Sequence, residues 1–598
     1  MTTPRSRLGA RLLPGGGTLF ATFAQGERCT VQVVDSEQQL LAEHELEAQG
    51  EGYFAAAVPT VSEGALYFFS VDGRRLPDPY ARYLPQGVHG PAEVRAAQRP
   101  QQPLPARRLS ELVIYEIHIG TFTPEGTFEA ARQRLPELAK LGVTCVELMP
   151  IAAFAGERGW GYDGVALYAP HAPYGTPEDL RHLVEAAHEL GLSVLLDVVY
   201  NHFGPSGNYL TAYSPRYFSE SLHNAWGQAP SFEEPALRAL VLENARYWLE
   251  ELGFDGLRLD ATHAILDPSP KHVLAELAEL AHGLTPPRLL IAEDERNRAD
   301  LVTTVGLDAL WADDFHHQVR VTLTGESHGY YGAFVPGAEG IAQTLNQGWL
   351  YTGQMNPVSK EPRGTPADAL EAPALAYCIQ NHDQIGNRPF GDRLPLDDAY
   401  RAASLLLLFL PMTPLLFMGQ EWGSSTPFQY FTDHDAELGR LVSEGRRREF
   451  AAFPDFSDPE RQLKIPDPQD VATFRRSKLQ WAERELPEQA RTLELYRSAL
   501  RLRAADPVLT QSSRRELRAN ELDGALVVRR WVGSAQRVLI MNLSAEALTI
   551  SGLAERLGLE SARALLRSDG AAGDALPPWT TVVLAAEGAL EGPPEGNP

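Results

Sequence analysis

Gly253-Phe254-Asp255-Gly256-Leu257-Arg258-Leu259-Asp260-Ala261 is the stretch whose reading decides the fold. A helical pattern over residues 235–252 stops at Gly253, a short apolar strand follows, and the period-two alternation of strand side chains puts Arg258 and Asp260 on one face. The strand delivers a guanidinium and a carboxylate to its C-terminal tip. Two other stretches end alike. Arg288-Leu289-Leu290-Ile291-Ala292-Glu293 closes on a carboxylate, and Ala376-Tyr377-Cys378-Ile379-Gln380-Asn381-His382-Asp383 does so after a polar run. A single Asp after a strand reads equally well as the N-cap of the next helix. Three acids in one kind of context weaken that reading, and an Arg one strand period before an Asp has a chemical use. A fixed cation lowers the neighbouring carboxyl's pKa and keeps it ionised, as a nucleophile requires. One ionised carboxylate and a second kept protonated in a drier setting are what glycosidic bond cleavage needs.

Working outward, the pattern from Val113 alternates strand and helix, which predicts parallel strands joined by helical crossovers. The strands are expected at residues 113–119, 145–149, 194–199, 256–260, 288–293, 309–314, 376–383 and 414–419, with helices at 128–141, 235–252, 273–282 and 489–505. Residues 202–231 read as a loop, and 325–373 as crossover helices with active-site loops. The fold class is α/β: a central (β/α)8 TIM barrel flanked by an N-terminal β-sandwich and a C-terminal β-sandwich domain. The expected domains are 1–92 (sandwich), 93–112 (a proline-rich linker), 113–515 (barrel) and 516–598 (β domain with a disordered tail). The outer regions are read from short alternating runs such as Thr18-Leu19-Phe20-Ala21-Thr22-Phe23 and Ala525-Leu526-Val527-Val528. At 598 residues the chain exceeds a barrel of about 250 residues and leaves room for both.

The 53 Lys+Arg against 78 Asp+Glu give a formal charge of -25, which argues against nucleic acid or an anionic membrane as partner and suits a neutral polymer. The run Arg446-Arg447-Arg448 reads as a solvated surface. Cys29, Cys145 and Cys378 have no metal or disulfide spacing and read as buried thiols in a reducing compartment. Neither a signal peptide nor a membrane span is evident, so a cytoplasmic protein is expected.

Four ordered words now resemble the α-amylase superfamily of glycoside hydrolases and transglycosylases: Asp197-Val198-Val199-Tyr200-Asn201-His202, Gly256-Leu257-Arg258-Leu259-Asp260, Ile291-Ala292-Glu293 and Asn381-His382-Asp383. The resemblance implies a retaining reaction with Asp260 as nucleophile, Glu293 as acid and then base, and Asp383 as the acid that clamps the distorted sugar. The Asp260 and Glu293 carboxyls would then lie roughly 5 to 5.5 Å apart. Tyr162 looks like the platform under that sugar. His202, Arg258, His263, Asp313, Asp314, His316, His317, Asn381, His382, Gln384 and Arg388 complete the expected substrate-binding set. Asn201 matches a calcium ligand of the superfamily, but no second cluster of oxygen ligands accompanies it, so neither a metal nor a cofactor is expected.

Longer words, Trp311-Ala312-Asp313-Asp314-Phe315-His316-His317 and Gly325-Glu326-Ser327-His328-Gly329-Tyr330-Tyr331 among them, resemble the trehalose-releasing branch of the superfamily. That resemblance implies maltooligosyltrehalose and related α-glucans as substrates, cut at the α-1,4 bond beside the terminal trehalose. One departure stands out: Asp294-Glu295-Arg296-Asn297 follows Glu293 where a Ser-Asp-Leu-Asn-like continuation is expected. Two other classes fit less well, a glycogen branching enzyme with the same plan and a non-catalytic superfamily member that only binds partners.

Overall fold

Eight parallel strands close into a barrel in sequential order: β1 (Ile114–Ile117), β2 (Cys145–Leu148), β3 (Ser193–Val198), β4 (Gly256–Leu259), β5 (Leu289–Glu293), β6 (Ala309–Trp311), β7 (Leu375–Cys378) and β8 (Thr413–Phe417), with β8 pairing back onto β1. The computed structural model describes residues 8–98, 107–450 and 462–587. The expected tail beyond Glu587 and part of the expected linker lie outside the described residues.

The barrel strands are buried on both faces, which is why they read as near-continuous apolar runs rather than alternating ones. Polar side chains inside this wall are therefore exceptions with a reason. Crossover helices behave as their sequences dictate: Pro177–Glu189 starts at a Thr176/Asp179 capping box, and Val273–His282 buries Val273, Leu274, Leu277 and Ala281 on one stripe.

Several expected boundaries move. The helix expected at 128–141 is two, Phe128–Arg132 and Leu135–Leu141, because Pro136 has no N–H to donate and is tolerated only in a helix's first turn. β6 stops at Trp311 and a helix, Asp313–Thr324, begins where strand was expected. β7 stops at Cys378, and His382 and Asp383 belong to the short helix His382–Gly386. The loop expected over 202–231 contains the helix Leu210–Tyr213 and a hairpin, Phe218–Asn224 paired with Gly227–Pro230. Arg446 is not a solvated surface residue. It is buried, donates to the Gly386 and Arg388 carbonyls and lies 5.0 Å over the Tyr430 ring.

In the N-terminal region the long strand Leu40–Gly50 pairs first with Cys29–Val34 and then with Tyr53–Val58, passing from one layer to the other. Phe20 from one layer meets Tyr67 and Phe69 from the other. The same core reaches the insert after β3: Phe23 packs on Tyr217, Phe69 on Tyr213, and the Tyr213 hydroxyl donates to the Pro77 carbonyl. C-terminally, five antiparallel strands (Leu517–Leu522, Ala525–Val532, Ala535–Asn542, Thr581–Glu587 and Glu560–Arg567) form one sheet. Val527, Val538 and Ile540 face the helix Ile550–Arg556, while Leu526, Val528 and Leu539 join the main core. Among the described residues no helix is long and apolar enough to cross a membrane.

Candidate active site

Arg258, fully buried on β4, organises the barrel mouth. Its Nη1 donates to both Asp197 oxygens and to Asp260 Oδ1, each at 2.8 Å, while Nη2 lies 2.8 Å from Glu293 Oε2. Strand register explains the first contact, since Arg258 sits beside Asp197 on β3. The Trp311 ring at the end of β6 covers the guanidinium at 4.3 Å. Asp260 Oδ2 accepts from Asn201 Nδ2 at 2.7 Å, so both of its oxygens are acceptors, as in a carboxylate. The next residue, Ala261, adopts φ 39° and ψ 55°, a left-handed conformation that residues with a Cβ rarely take. That turn aims its N–H at Glu293 Oε2, 2.9 Å away. None of the three acids caps a helix: Ala261 precedes the turn Thr262–Ala264, Asn381 caps His382–Gly386, and no helix begins directly after Glu293.

Environment separates the acids. Burial pushes Glu293 well above the usual carboxylate range, and the nearby Asp260 and Asp383 add to the rise against the pull of Arg258. Burial also opposes ionisation of Asp383, but the His382 ring 3.4 Å away, with Arg258 and Asn387, outweighs it and brings the group to about 2. His382 is the reciprocal case: burial disfavours its charge, yet Asp383 and Glu116 lift it well above the ordinary histidine value. Its Nδ1 lies 2.5 Å from Glu116 Oε1, its Nε2 donates to the Tyr162 hydroxyl at 2.7 Å, and that hydroxyl donates to Asp197 Oδ2 at 2.7 Å. The Tyr162 ring also lies against His382, 5.2 Å between centroids. Burial raises Asp197 to about 6 despite Arg258.

A cleft of about 1150 Å³ opens over this floor. Of the expected residues, Glu293, Asp383, His263, Asp313, His317 and Gln384 line it, together with Asn387, Tyr330, Asn356 and Arg363. Burial and the adjacent Asp383 push Asp313 up to about 7. Other expected residues serve elsewhere. Asp314 is buried and accepts from the Leu350 and Tyr351 N–H groups and from Asn297, and pairs with Arg363 at 3.0 Å, which anchors a loop rather than a ligand. His316 is buried behind His317, and burial drives it well below the usual histidine value. Asn381 spends its side-chain oxygen on the Gln384 N–H, and Arg388 is clasped by Glu326 at 2.9 and 3.0 Å. His202 turns both ring nitrogens toward protein oxygens, Nδ1 to Asn201 Oδ1 and Nε2 to the Tyr162 carbonyl 2.9 Å away; burial lowers its pKa, and the neutral ring donates to one of the two.

The departure after Glu293 is a local brace. Asp294 accepts from Thr262 Oγ1 at 2.9 Å and pairs bidentately with Arg296, while Asn297 takes φ 53° and donates to Asp314. Glu295 and Arg296 line the cleft.

Sequence reasoning misses Glu116, Glu147, Asn387 and the Trp311 cover. Glu116 and Glu147 are register partners on β1 and β2, both buried, and burial keeps Glu147 far above the usual carboxylate range. A lone carboxylate inside an apolar strand is the signal that could have found them. Among the described residues no group of three or more His, Cys, Asp or Glu is arranged to hold a metal ion, and the Asn201 side chain is spent on Asp260 and His202.

Glycosidic bond cleavage needs two carboxyls set close together, and the mouth of this barrel sets Asp260 and Glu293 on one guanidinium, the arrangement of glycoside hydrolases of the α-amylase type. The family described as "Alpha amylase, catalytic domain" matches residues 116–225. The malto-oligosyltrehalose trehalohydrolase of Deinococcus radiodurans is 52% identical over 559 residues, covering 92% of this chain and 91% of that protein. The chain belongs to the malto-oligosyltrehalose trehalohydrolase family. A relative of the same name from Rhizobium sp. is 42% identical, covering 89% of this chain and 92% of its own. A crystal structure described as a putative alpha amylase from Salmonella typhimurium superposes with TM-score 0.88 at 36% identity, covering 97% and 99% of the two chains. A branching enzyme from Aliivibrio fischeri is 25% identical and covers 72% of this chain.

Proposed function

We infer that the protein is a retaining hydrolase that cuts the α-1,4 bond next to the terminal trehalose unit of maltooligosyltrehalose, releasing trehalose and a maltooligosaccharide. The observation that carries the chemistry is the placement of Asp260 and Glu293 at the two ends of the Arg258 guanidinium, with burial raising the Glu293 carboxyl well above the usual carboxylate range. The trehalohydrolase relatives at 52% and 42% identity support the substrate.

Asp260 attacks the anomeric carbon, forming a carbon–oxygen bond as the glycosidic bond breaks. Glu293 Oε2 is held by Arg258 and the Ala261 N–H, which leaves Oε1 to give its proton to the departing trehalose oxygen. In the second half, the Glu293 carboxylate takes a proton from water, the water oxygen bonds to the anomeric carbon, and Asp260 leaves. Asp383, ionised and fixed by His382 and Asn387, accepts hydroxyls of the sugar being cleaved. The reading carries a cytoplasmic location, supported by three buried free thiols.

Incubation with maltooligosyltrehalose and with plain maltooligosaccharide tests the substrate. Trehalose release from the first should far outpace hydrolysis of the second. Equal rates would overturn the substrate, and a new α-1,6 branch formed from amylose would replace the hydrolase reading by the transferase.

A further inference from the structure

We propose that Glu116 on β1 is a positioning residue for the reaction: its carboxyl group holds His382 as an imidazolium, and that ring in turn aims Asp383 at the sugar. Both Glu116 side-chain oxygens are spent on one residue at another strand's end. Oε1 lies 2.5 Å from His382 Nδ1, and Oε2 accepts the His382 N–H at 3.0 Å. Glu116 is itself fixed, being 1% exposed, with its carbonyl accepting the Met418 N–H from just after β8 at 2.9 Å.

The hydrogen-bond directions around the ring call for two donors. The Tyr162 hydroxyl has one proton and directs it to Asp197 Oδ2, so its oxygen accepts from His382 Nε2. Nδ1 then donates to Glu116. A neutral imidazole carries a single N–H and cannot serve both. It would also turn a lone pair toward Asp383 Oδ1, 3.4 Å from Nε2, and repel the carboxylate that the imidazolium attracts. Among the described residues, Glu116 and Asp383 are the acids that pair with the ring. Glu147 on β2 and Asp197 on β3 act on it from further away, and His118, just after β1, opposes its charge. Asp383 in turn feels Glu293 and Asp313, two acids that oppose its own charge, while Arg258 is already shared among Asp197, Asp260 and Glu293. The His382 ring is therefore the cation that Asp383 has to itself.

The proposal rests on the role given to Asp383, so the first readout is independent of turnover. Nitrogen NMR of the full chain labelled at histidine, with His382→Asn identifying the signal, should show both ring nitrogens of His382 protonated at pH 8. Glu116→Gln offers one acceptor to two donors, and the His382 titration should move down by roughly 1 to 3 pH units, the usual effect of one adjacent charge. On maltooligosyltrehalose the alkaline fall in kcat/KM should move down with it, and kcat at pH 7.5 should drop roughly 10- to 100-fold, as for a misplaced group. Glu116→Asp keeps the charge and should restore the parent's pH profile. A neutral His382 in the parent at pH 8 would overturn the proposal, even if Glu116→Gln failed to fold. So would a Glu116→Gln enzyme whose rate falls evenly at every pH with the His382 signal unmoved, because Glu116 would then be only a strut. Absent trehalose release with the His382 shift intact would overturn the substrate reading and support the pairing of Glu116 with His382.

Discussion

Asp260 and Glu293 occupy the two ends of one guanidinium: Nη1 of Arg258 is 2.8 Å from Asp260 Oδ1 and Nη2 is 2.8 Å from Glu293 Oε2. Their spacing is thereby set by a rigid planar group rather than by two independent rotamers. Arg258→Lys keeps the charge but cannot span both acids, and kcat/KM should fall by roughly two to three orders of magnitude, as when an oriented donor is lost. Arg258→Met also strands Asp197 in the core. Its urea midpoint should drop in line with a loss of about 3 to 5 kcal/mol, the usual cost of orphaning a buried ion pair.

Glu293→Gln keeps shape but lacks the proton. Hydrolysis of the natural substrate should fall by roughly two to four orders of magnitude, whereas an activated glycosyl fluoride, which leaves unprotonated, should lose far less in its glycosylation step. Asp260→Asn should abolish both reactions, because neither substrate can form the glycosyl-enzyme. Pre-steady-state rates on the two substrates check the assignment, and equal losses in Glu293→Gln would reverse it.

The pH profile follows from the same groups. In the proposed role Glu293 works protonated, and burial lifts it well above its ordinary value, so kcat/KM should fall on the alkaline side as that proton is lost. Asp383, near 2, stays ionised throughout and adds no limb. With the natural substrate, the residual activity of Glu293→Gln should lack that alkaline limb. A profile that keeps the same limb would point to another acid.

Asp313 gives a stability counterpart. Its folded value of about 7 lies above the ordinary 3.8, so its favourable contribution is complete below the unfolded value and is lost as pH rises through 7. Asp313→Asn removes that dependence. The Tm of the variant relative to the parent should therefore rise between pH 4.5 and pH 8, and a difference independent of pH would contradict the shift.

Chelation by EDTA should leave activity intact, since Asn201 is already committed to Asp260 and His202. Reversible loss restored by calcium would show that the loop after β3 holds an ion.

The barrel was legible because each strand announces itself as a short apolar run and three of them end on acids. The site was legible in part, and the reason lies in one boundary. Reading residues 309–314 as strand hides the helical period of the segment beginning at Asp313. On a helix, Asp313 and His317 are four apart and share the face that lines the cleft, while Asp314 and His316 turn away to the Leu350 loop and the core. The hairpin Phe218–Asn224 was illegible for a different reason: its side chains are mostly exposed or half-buried, so no apolar alternation marks it. Arg446 misled because charge alone does not tell a solvated guanidinium from one spent on the Gly386 and Arg388 carbonyls.

The bent backbone at Ala261 has a consequence for timing. Because the left-handed turn exists before any sugar arrives, the N–H that steadies Glu293 need not be recruited during the reaction. The reorientation is done once, as the chain folds, and each catalytic cycle inherits it. The fold holds alanine there against its own preference; Ala261→Gly would lower the cost of the turn but widen the choice of alternatives, leaving the setting to the surrounding contacts alone.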